Sequence, residues 1–337
     1  MADRAARIAA FLGSAGWDAA QRVPLAADAS FRCYHRLTDG GRRAVLMDAR
    51  PPQENVRPFL AVARHLSALG YSAPRVLAAD EQAGLLLLED LGDDTFTRLL
   101  ARGEPEAELY ALATDLLIDL HRRPVEKTVP DGLPQYDDDR FVAEAALLTE
   151  WYVPRVLGAP VAAATAHEYG YLWRVTLRKA RDVPEALVLR DYHVDNLMRI
   201  EGRAGITACG LLDFQDAVRG PATYDLVSLV EDARRDISPG VAQAARQRYL
   251  ATFPGLDREA FDRSMAILGA QRHAKVIGIF TRLCVRDGKP AYLAHIPRLW
   301  RLLEAACAHS ALAPIRAWLD THVPPECRVA PGVGAPR

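Results

Sequence analysis

The stretch LRDYHVDNLM, residues 189–198, places an Asp at 191, an Asn at 196 and a His between them at 193. Three chemistries could use such a set. Asp191, His193 and Asp195 could hold a metal ion, a carboxylate could take the proton of a hydroxyl, or the residues could shape a loop and cap its turns. The spacing D-x-x-x-x-N arises by chance about once in a chain of this size, so its surroundings decide the reading.

Those surroundings are a turn, a β-type run and then GLLDFQD (210–216), with Asp213 22 positions after Asp191. A loop bearing Asp and Asn, followed by an Asp-Phe pair, is the order used for phosphoryl transfer. Asp191 would orient an acceptor hydroxyl and take its proton. Asn196 and Asp213 would offer Mg²⁺ the hard oxygen ligands it prefers. His193 is expected to brace the loop, and Asp195 to cap or face solvent. Asp216 is a candidate for substrate contact. A two-metal hydrolase would need further His and carboxylate clusters, and the nine His are scattered with no H-x-H pair.

The chain around this motif has 337 residues, half of them hydrophobic, enough for one elaborated domain or two lobes. Its 42 basic and 43 acidic residues balance to a net charge of −1, so neither a nucleic-acid field nor a polybasic membrane anchor is indicated. Five Cys without CxxC spacing point to reduced thiols and a cytoplasmic protein. The opening MADRAARIAAFLGSAGW has Ile8, Phe11 and Leu12 at helical spacing and Asp3 where a signal peptide would be basic, so it reads as an amphipathic helix. The longest strongly apolar run, GLLLLEDL, is too short to span a bilayer.

Three β-type runs (QRVPLA, SFRCYHRL, RRAVLMDA) follow, the last two separated by the turn TDGG at 38–41. A helix over ENVRPFLAVARHLSALG and two more strands, PRVLAAD and GLLLLED, complete the order β-β-β-α-β-β. Beyond residue 92 the pattern is helical, at 95–102, 106–122, 140–157, 162–181, 223–234, 239–253, 259–285, 297–309 and 312–321. A small β island spans EALVLRDY, NLMRIEG and GITACGLLDFQD. The expectation is an α+β, two-lobe protein-kinase-like fold: a five-stranded N-terminal nucleotide-binding lobe with one main helix (1–91), a helical catalytic and acceptor-binding lobe (92–325) and a flexible tail (326–337).

LRDYHVDNLM, together with GLLDFQDAVRGPATYDLVSL, resembles the aminoglycoside phosphotransferase/choline kinase superfamily. That resemblance makes Asp225, in PATYDL, a buried structural Asp. Leu189 stands where the superfamily carries a His. The stretches ADASFRCYHRL, AVLMDARPPQENVRPF, LLLLEDLGDDTF and DGKPAYLAHIPR are similar to the anomeric N-acetylmuramate/N-acetylglucosamine kinases of cell-wall recycling, across about residues 5–320. The resemblance implies ATP and Mg²⁺, a small amino-sugar acceptor phosphorylated at its C1 hydroxyl, and a monomer that needs neither nucleic acid nor membrane. The alternatives are an aminoglycoside or choline phosphotransferase and a nucleotide-binding pseudokinase.

The pseudokinase alternative draws on the nucleotide end. Only four basic residues are Lys (Lys127, Lys179, Lys275, Lys289), and Met47 or Asp48 stands where the usual strand Lys would fall. The turn AADASF lacks the usual glycines, leaving the Ser30 hydroxyl as a donor. Arg32 is the first candidate to grip phosphate, with Glu54 to orient it, and Arg57 the second. Backbone atoms near Glu89 and Leu91 are expected to meet the adenine. At the acceptor end, TEWYVPR offers Glu150 to sugar hydroxyls, and Trp151 and Tyr152 for stacking, one of the two being core. A lactyl carboxylate calls for a cation among Arg282, Arg286 and Lys289.

Overall fold

A computed structural model describes residues 2–25 and 32–332. The strands are β1 (Gln21–Pro24), β2 (Cys33–Asp39), β3 (Arg42–Asp48), β4 (Val76–Asp80), β5 (Leu85–Glu89), β6 (Glu185–Val188), β7 (Leu197–Arg199), β8 (Cys209–Leu211) and β9 (Val218–Pro221). The helices are α1 (Ala2–Ser14), α2 (Arg57–Ala68), α3 (Phe96–Ala101), α4 (Glu106–Arg122), α5 (Val125–Thr128), α6 (Asp138–Leu147), α7 (Val153–Leu157), α8 (Ala163–Arg178), α9 (Thr223–Val230), α10 (Pro239–Thr252), α11 (Arg258–Asp287), α12 (Ile296–Ala306) and α13 (Ala313–His322). A π-helical turn, Leu148–Tyr152, joins α6 to α7.

Contacts divide the chain into two units. The first holds Met1–Pro105, Glu126–Asp131 and Val194–Ala217; the second holds Glu106–Val125, Gly132–His193 and Val218–Arg337. The first unit therefore runs past the boundary expected near residue 91. It also takes in the β7–β8 hairpin, because Leu211 N donates to Ser72 O at 2.9 Å and Arg199 N to Asp94 O at 2.8 Å.

In the first unit the five strands that the sequence pattern implied form an antiparallel sheet, in the order β1-β2-β3-β5-β4. Gly40 and Gly41 close the β2–β3 hairpin with φ of 51° and 86°, the positive values a two-residue turn of this hand needs. Ile8, Phe11 and Leu12 of α1, with Trp17, pack on Leu37, Leu46, Leu85 and Leu87 of the sheet. That confirms the amphipathic reading of the first helix. Asp48, at the strand position where a Lys was sought, is buried and receives the Arg4 guanidinium of α1 at 3.1 Å.

In the second unit the long α11 is the central element, buried along most of its length and packed by α6, α9, α12 and the π-helical turn. Strands β6 and β9 pair antiparallel, Val188 opposite Val218. Three features were not legible beforehand. Strand β9 hides in VRGP, whose Gly and Pro argue against a strand. Helix α9 stops at Val230, short of 234, where Asp232 turns back to accept the Arg234 N–H at 2.7 Å. The π-helical turn interrupts what reads as one continuous helix from 140 to 157. The expected flexible tail is tethered as far as residue 332. Arg328 pairs with Glu304 and Asp320, and Arg155 donates to the Gly332 carbonyl.

The approach of α11 to α6 depends on Gly278, where a Cβ would lie 2.3 Å from the Leu147 carbonyl carbon. Gly278→Ala should lower stability by at least about 1–3 kcal/mol in urea unfolding. Gly13→Ala, in open space on α1, should be neutral or stabilising by up to about 1 kcal/mol. Equal stability for the two variants would contradict this packing.

Candidate functional site

The pairing register of one hairpin brings Asn196 and Asp213 together. Leu197 sits opposite Leu211, so Asn196 falls opposite Leu212, and Leu212 N donates to Asn196 O at 2.9 Å. The two side chains meet at 3.5 Å, Asn196 Nδ2 to Asp213 Oδ2. Asp213 lies in the left-handed region at φ 57°, and Gln215 Nε2 donates to its Oδ1 at 2.8 Å. The neighbouring Phe214 is fully buried and stacks on Phe59 of α2 at 5.0 Å, which anchors the Asp-Phe pair. Asp195 instead receives the Thr97 hydroxyl. A half-exposed carboxylate beside an amide, whose oxygen and nitrogen interchange by a simple flip, suits a hard cation with oxygen ligands.

Arg32 reaches the same place. Its Nε donates to Glu54 Oε2 at 3.0 Å, and its Nη1 stands 3.9 Å from Asp213 Oδ1. Burial opposes its charge, but Tyr34, Glu54 and Asp213 outweigh that and hold the guanidinium firmly protonated. Burial pushes the adjacent Tyr34 hydroxyl up to about 12. A cation oriented by a carboxylate and poised beside the metal-type Asp can grip phosphate oxygens. The Lys-free segment thus supplies a fixed guanidinium by another route. Arg57 turns elsewhere, to Glu81. Ser30 and its turn, 26–31, lie outside the described residues.

Leu91 is buried in a small apolar cluster with Met198, Ile200 and the partly buried Leu212. Glu89 is occupied otherwise. Its N–H donates to Arg75 O at 2.8 Å, and its carboxylate bonds Arg203 at 2.6 Å and Arg75 at 3.1 Å. Its amide is therefore engaged within the protein.

Asp191 belongs to the second unit, where Asp225 shapes its loop. The buried Asp225 carboxylate accepts Leu189 N at 2.6 Å and Arg190 N at 2.9 Å, which matches the structural role expected for it. Arg190 is held at φ 70°, and with Asp213 it is one of two non-glycine residues in that region among those described. Such strain costs about 1–3 kcal/mol and persists only where surroundings impose it. Here the Arg190 guanidinium donates to Glu144 and lies over the Tyr136 ring at 5.4 Å. Glu144 also takes the Tyr136 hydroxyl and pairs with Lys275 Nζ at 3.1 Å. Burial pushes the Asp191 carboxyl up, but Lys275, His193, Arg272 and Arg190 outweigh it and hold the group below the usual carboxylate range. His193 is lowered by burial and by Arg234, which it meets at 3.2 Å.

Among the acceptor candidates, Glu150 is exposed and Trp151 half-buried on the π-helical turn. The stacking role expected for Tyr152 is corrected: its ring is fully buried against Trp300, and its hydroxyl donates to Cys327 O at 2.6 Å. Asp216 is exposed and belongs to the first unit, not to the unit that carries Glu150 and Asp191. Sequence reading missed Glu144, Lys275 and Arg272. A signal was present, since GAQRHAKVIGIF sets four polar residues in an otherwise apolar stretch of α11, and buried charges are rare without a task.

Carboxylates, an amide and a guanidinium of the types phosphoryl transfer uses are thus present among the described residues. The model of the APH phosphotransferase enzyme family matches residues 21–261, and the chain belongs to that family. A relative from Caulobacter vibrioides, named N-acetylmuramate/N-acetylglucosamine kinase, is 39% identical over 97% of this chain and 98% of its own. A relative of the same name from Pseudomonas aeruginosa is 41% identical over 86% of this chain and 84% of its own. The solved structure of a choline/ethanolamine kinase family protein from Mesorhizobium loti superposes with a TM-score of 0.61 at 15% identity, covering 94% of this chain and 99% of that one. This likeness places the fold in the two-lobe α+β kinase class. No helix among the described residues is long and apolar enough to cross a membrane.

Burial raises the Asp225 carboxyl to about 7, against the pull of its two N–H donors. The folded value lies above the unfolded one of about 3.9, so the group's contribution to stability is complete below about pH 4 and is lost as pH rises through about 7. The stability advantage of wild type over Asp225→Asn should therefore shrink by about 1–3 kcal/mol between pH 5 and 8 in chemical unfolding. A constant gap would show that Asp225 ionises normally.

Proposed function

We propose that this chain is a cytoplasmic, ATP- and Mg²⁺-dependent N-acetylmuramate/N-acetylglucosamine kinase of peptidoglycan recycling, phosphorylating the anomeric C1 hydroxyl. The observation that carries the reading is the end-to-end likeness to the Caulobacter relative of that name. The described side chains support the chemistry, with nucleotide handling assigned to residues 1–91 and acceptor binding to the helical remainder, apart from the metal ligands on the β7–β8 hairpin.

In this reading Asp191 accepts a hydrogen bond from the C1 hydroxyl. Held below the usual range, it stays ionised and aligns the oxygen, taking the proton as the new O–P bond forms and the bond to the β-phosphate breaks, with ADP as the leaving group. Asn196 and Asp213 would hold Mg²⁺, which would neutralise charge on the phosphate oxygens. Arg32, steadied by Glu54, grips phosphate, and the cluster at Leu91 takes the adenine.

Asp191→Asn should lower kcat by about 10²–10⁴-fold with nucleotide affinity little changed. Wild-type turnover in that variant would sink the assignment of the base. Arg32→Met should raise the KM for ATP by about tenfold or more, with Arg32→Lys in between. ATP-dependent turnover of N-acetylmuramate, N-acetylglucosamine, kanamycin and choline, measured side by side, tests the acceptor. An acid-labile sugar phosphate is the expected product, and phosphorylation of kanamycin or choline alone would replace this reading.

A further inference from the structure

The two proposed acceptors differ by one lactyl carboxylate, and three cations near the end of α11 could meet it. The structure separates them. Arg286 is exposed and paired with Asp287 through Nε at 2.7 Å and Nη2 at 2.9 Å. Lys289 helps lower the Asp287 carboxyl, as Arg282 does to a lesser degree. Arg282 is half-buried, makes no ion pair among the described residues, and keeps a buried Nε without a hydrogen-bond partner. Burial and the neighbouring Arg286 both weigh against its charge, and Glu150 and Asp287 only partly offset them. A guanidinium does not neutralise itself by losing a proton, so this cation remains under-compensated until an anion arrives.

Its place on α11 matters equally. Lys275, the cation that acts most on Asp191, lies seven residues before Arg282. Seven residues are close to two helical turns, so both sit on one stripe of α11, about 10 Å apart along the axis. That is a span on the scale of a sugar ring with a side arm. Packed on α11 is the π-helical turn that carries the half-buried Trp151 and the exposed Glu150. The extra residue in a π turn re-aims side chains that a regular helix would place elsewhere.

Building on the function proposed above, we infer that Arg282 is the specificity-determining residue that binds the lactyl carboxylate of N-acetylmuramate. Glu150 competes for the same guanidinium, and this moderates the preference so that the uncharged sugar is also accepted.

The test is kcat/KM for both sugars at saturating ATP with the full-length enzyme. Arg282→Met should lower the N-acetylmuramate-to-N-acetylglucosamine ratio by about 10–100-fold, the weight of a charged hydrogen bond, with Arg282→Lys retaining part of it. Glu150→Gln, at an exposed position that folding tolerates, should move the ratio severalfold the other way. A ratio unchanged in Arg282→Met overturns the inference while wild-type activity on both sugars leaves the kinase reading intact. If Arg282→Met does not fold, a Glu150→Gln ratio that stays level or falls overturns it equally. Wild-type enzyme inactive on both sugars overturns the kinase reading and this inference together.

Discussion

Two backbone N–H groups ending on one buried carboxylate set the geometry on which the second unit's chemistry depends. Asp225 accepts from Leu189 and Arg190, which forces the chain through the left-handed region immediately before Asp191. A left-handed Arg is unfavourable by itself, so the strain must be offset. It is, by Glu144 and the Tyr136 ring, which hold the same Arg by its guanidinium. Backbone and side chain of Arg190 are thus restrained from opposite ends, and Asp191 inherits the rigidity. Glu144 serves twice, because Lys275 shares it and also bears on Asp191.

The first unit solves a different electrostatic problem. The strand position usual for a Lys carries Met47 or Asp48, and Asp48 is committed to Arg4. Arg32, at the entry to β2, is the cation proposed to meet phosphate, and its Nε pairs with Glu54, just before α2. A guanidinium suits this better than an ammonium would: one edge satisfies Glu54 while the other points toward Asp213. The two left-handed non-glycine residues, Arg190 and Asp213, fall in the two motifs singled out for chemistry, which fits the tendency of strain to collect where side chains must be aimed.

Much of this was readable in the chain. Alternation and the TDGG turn located the sheet, helical spacing located α1, α2 and the long α11, and the Asp-Asn and Asp-Phe motifs singled out the candidate site. Arg32 and Glu54 were paired as candidates because no Lys was available. What escaped were features whose cause is non-local. Strand β9 exists because β6 pairs with it, against the preference of its own Gly and Pro. Tyr152 looked like a sugar platform until packing turned it inward toward Cys327. Glu144 is an unremarkable Glu in a helix until Arg190 and Lys275 converge on it.

The sequence by itself determined most of the order of elements, the family, the residue types of the candidate motifs and the want of a Lys before residue 127, because these follow from composition, local periodicity and motifs a few residues long. Only the tertiary structure decided which charges are buried together. Asn196 and Asp213 lie 17 positions apart, Arg32 and Glu54 22, and Glu144 and Lys275 131. Each pair meets through strand register or helix packing, which no local pattern encodes. In a low-dielectric interior, the energy of a charge is set by those distant neighbours rather than by its own residue type.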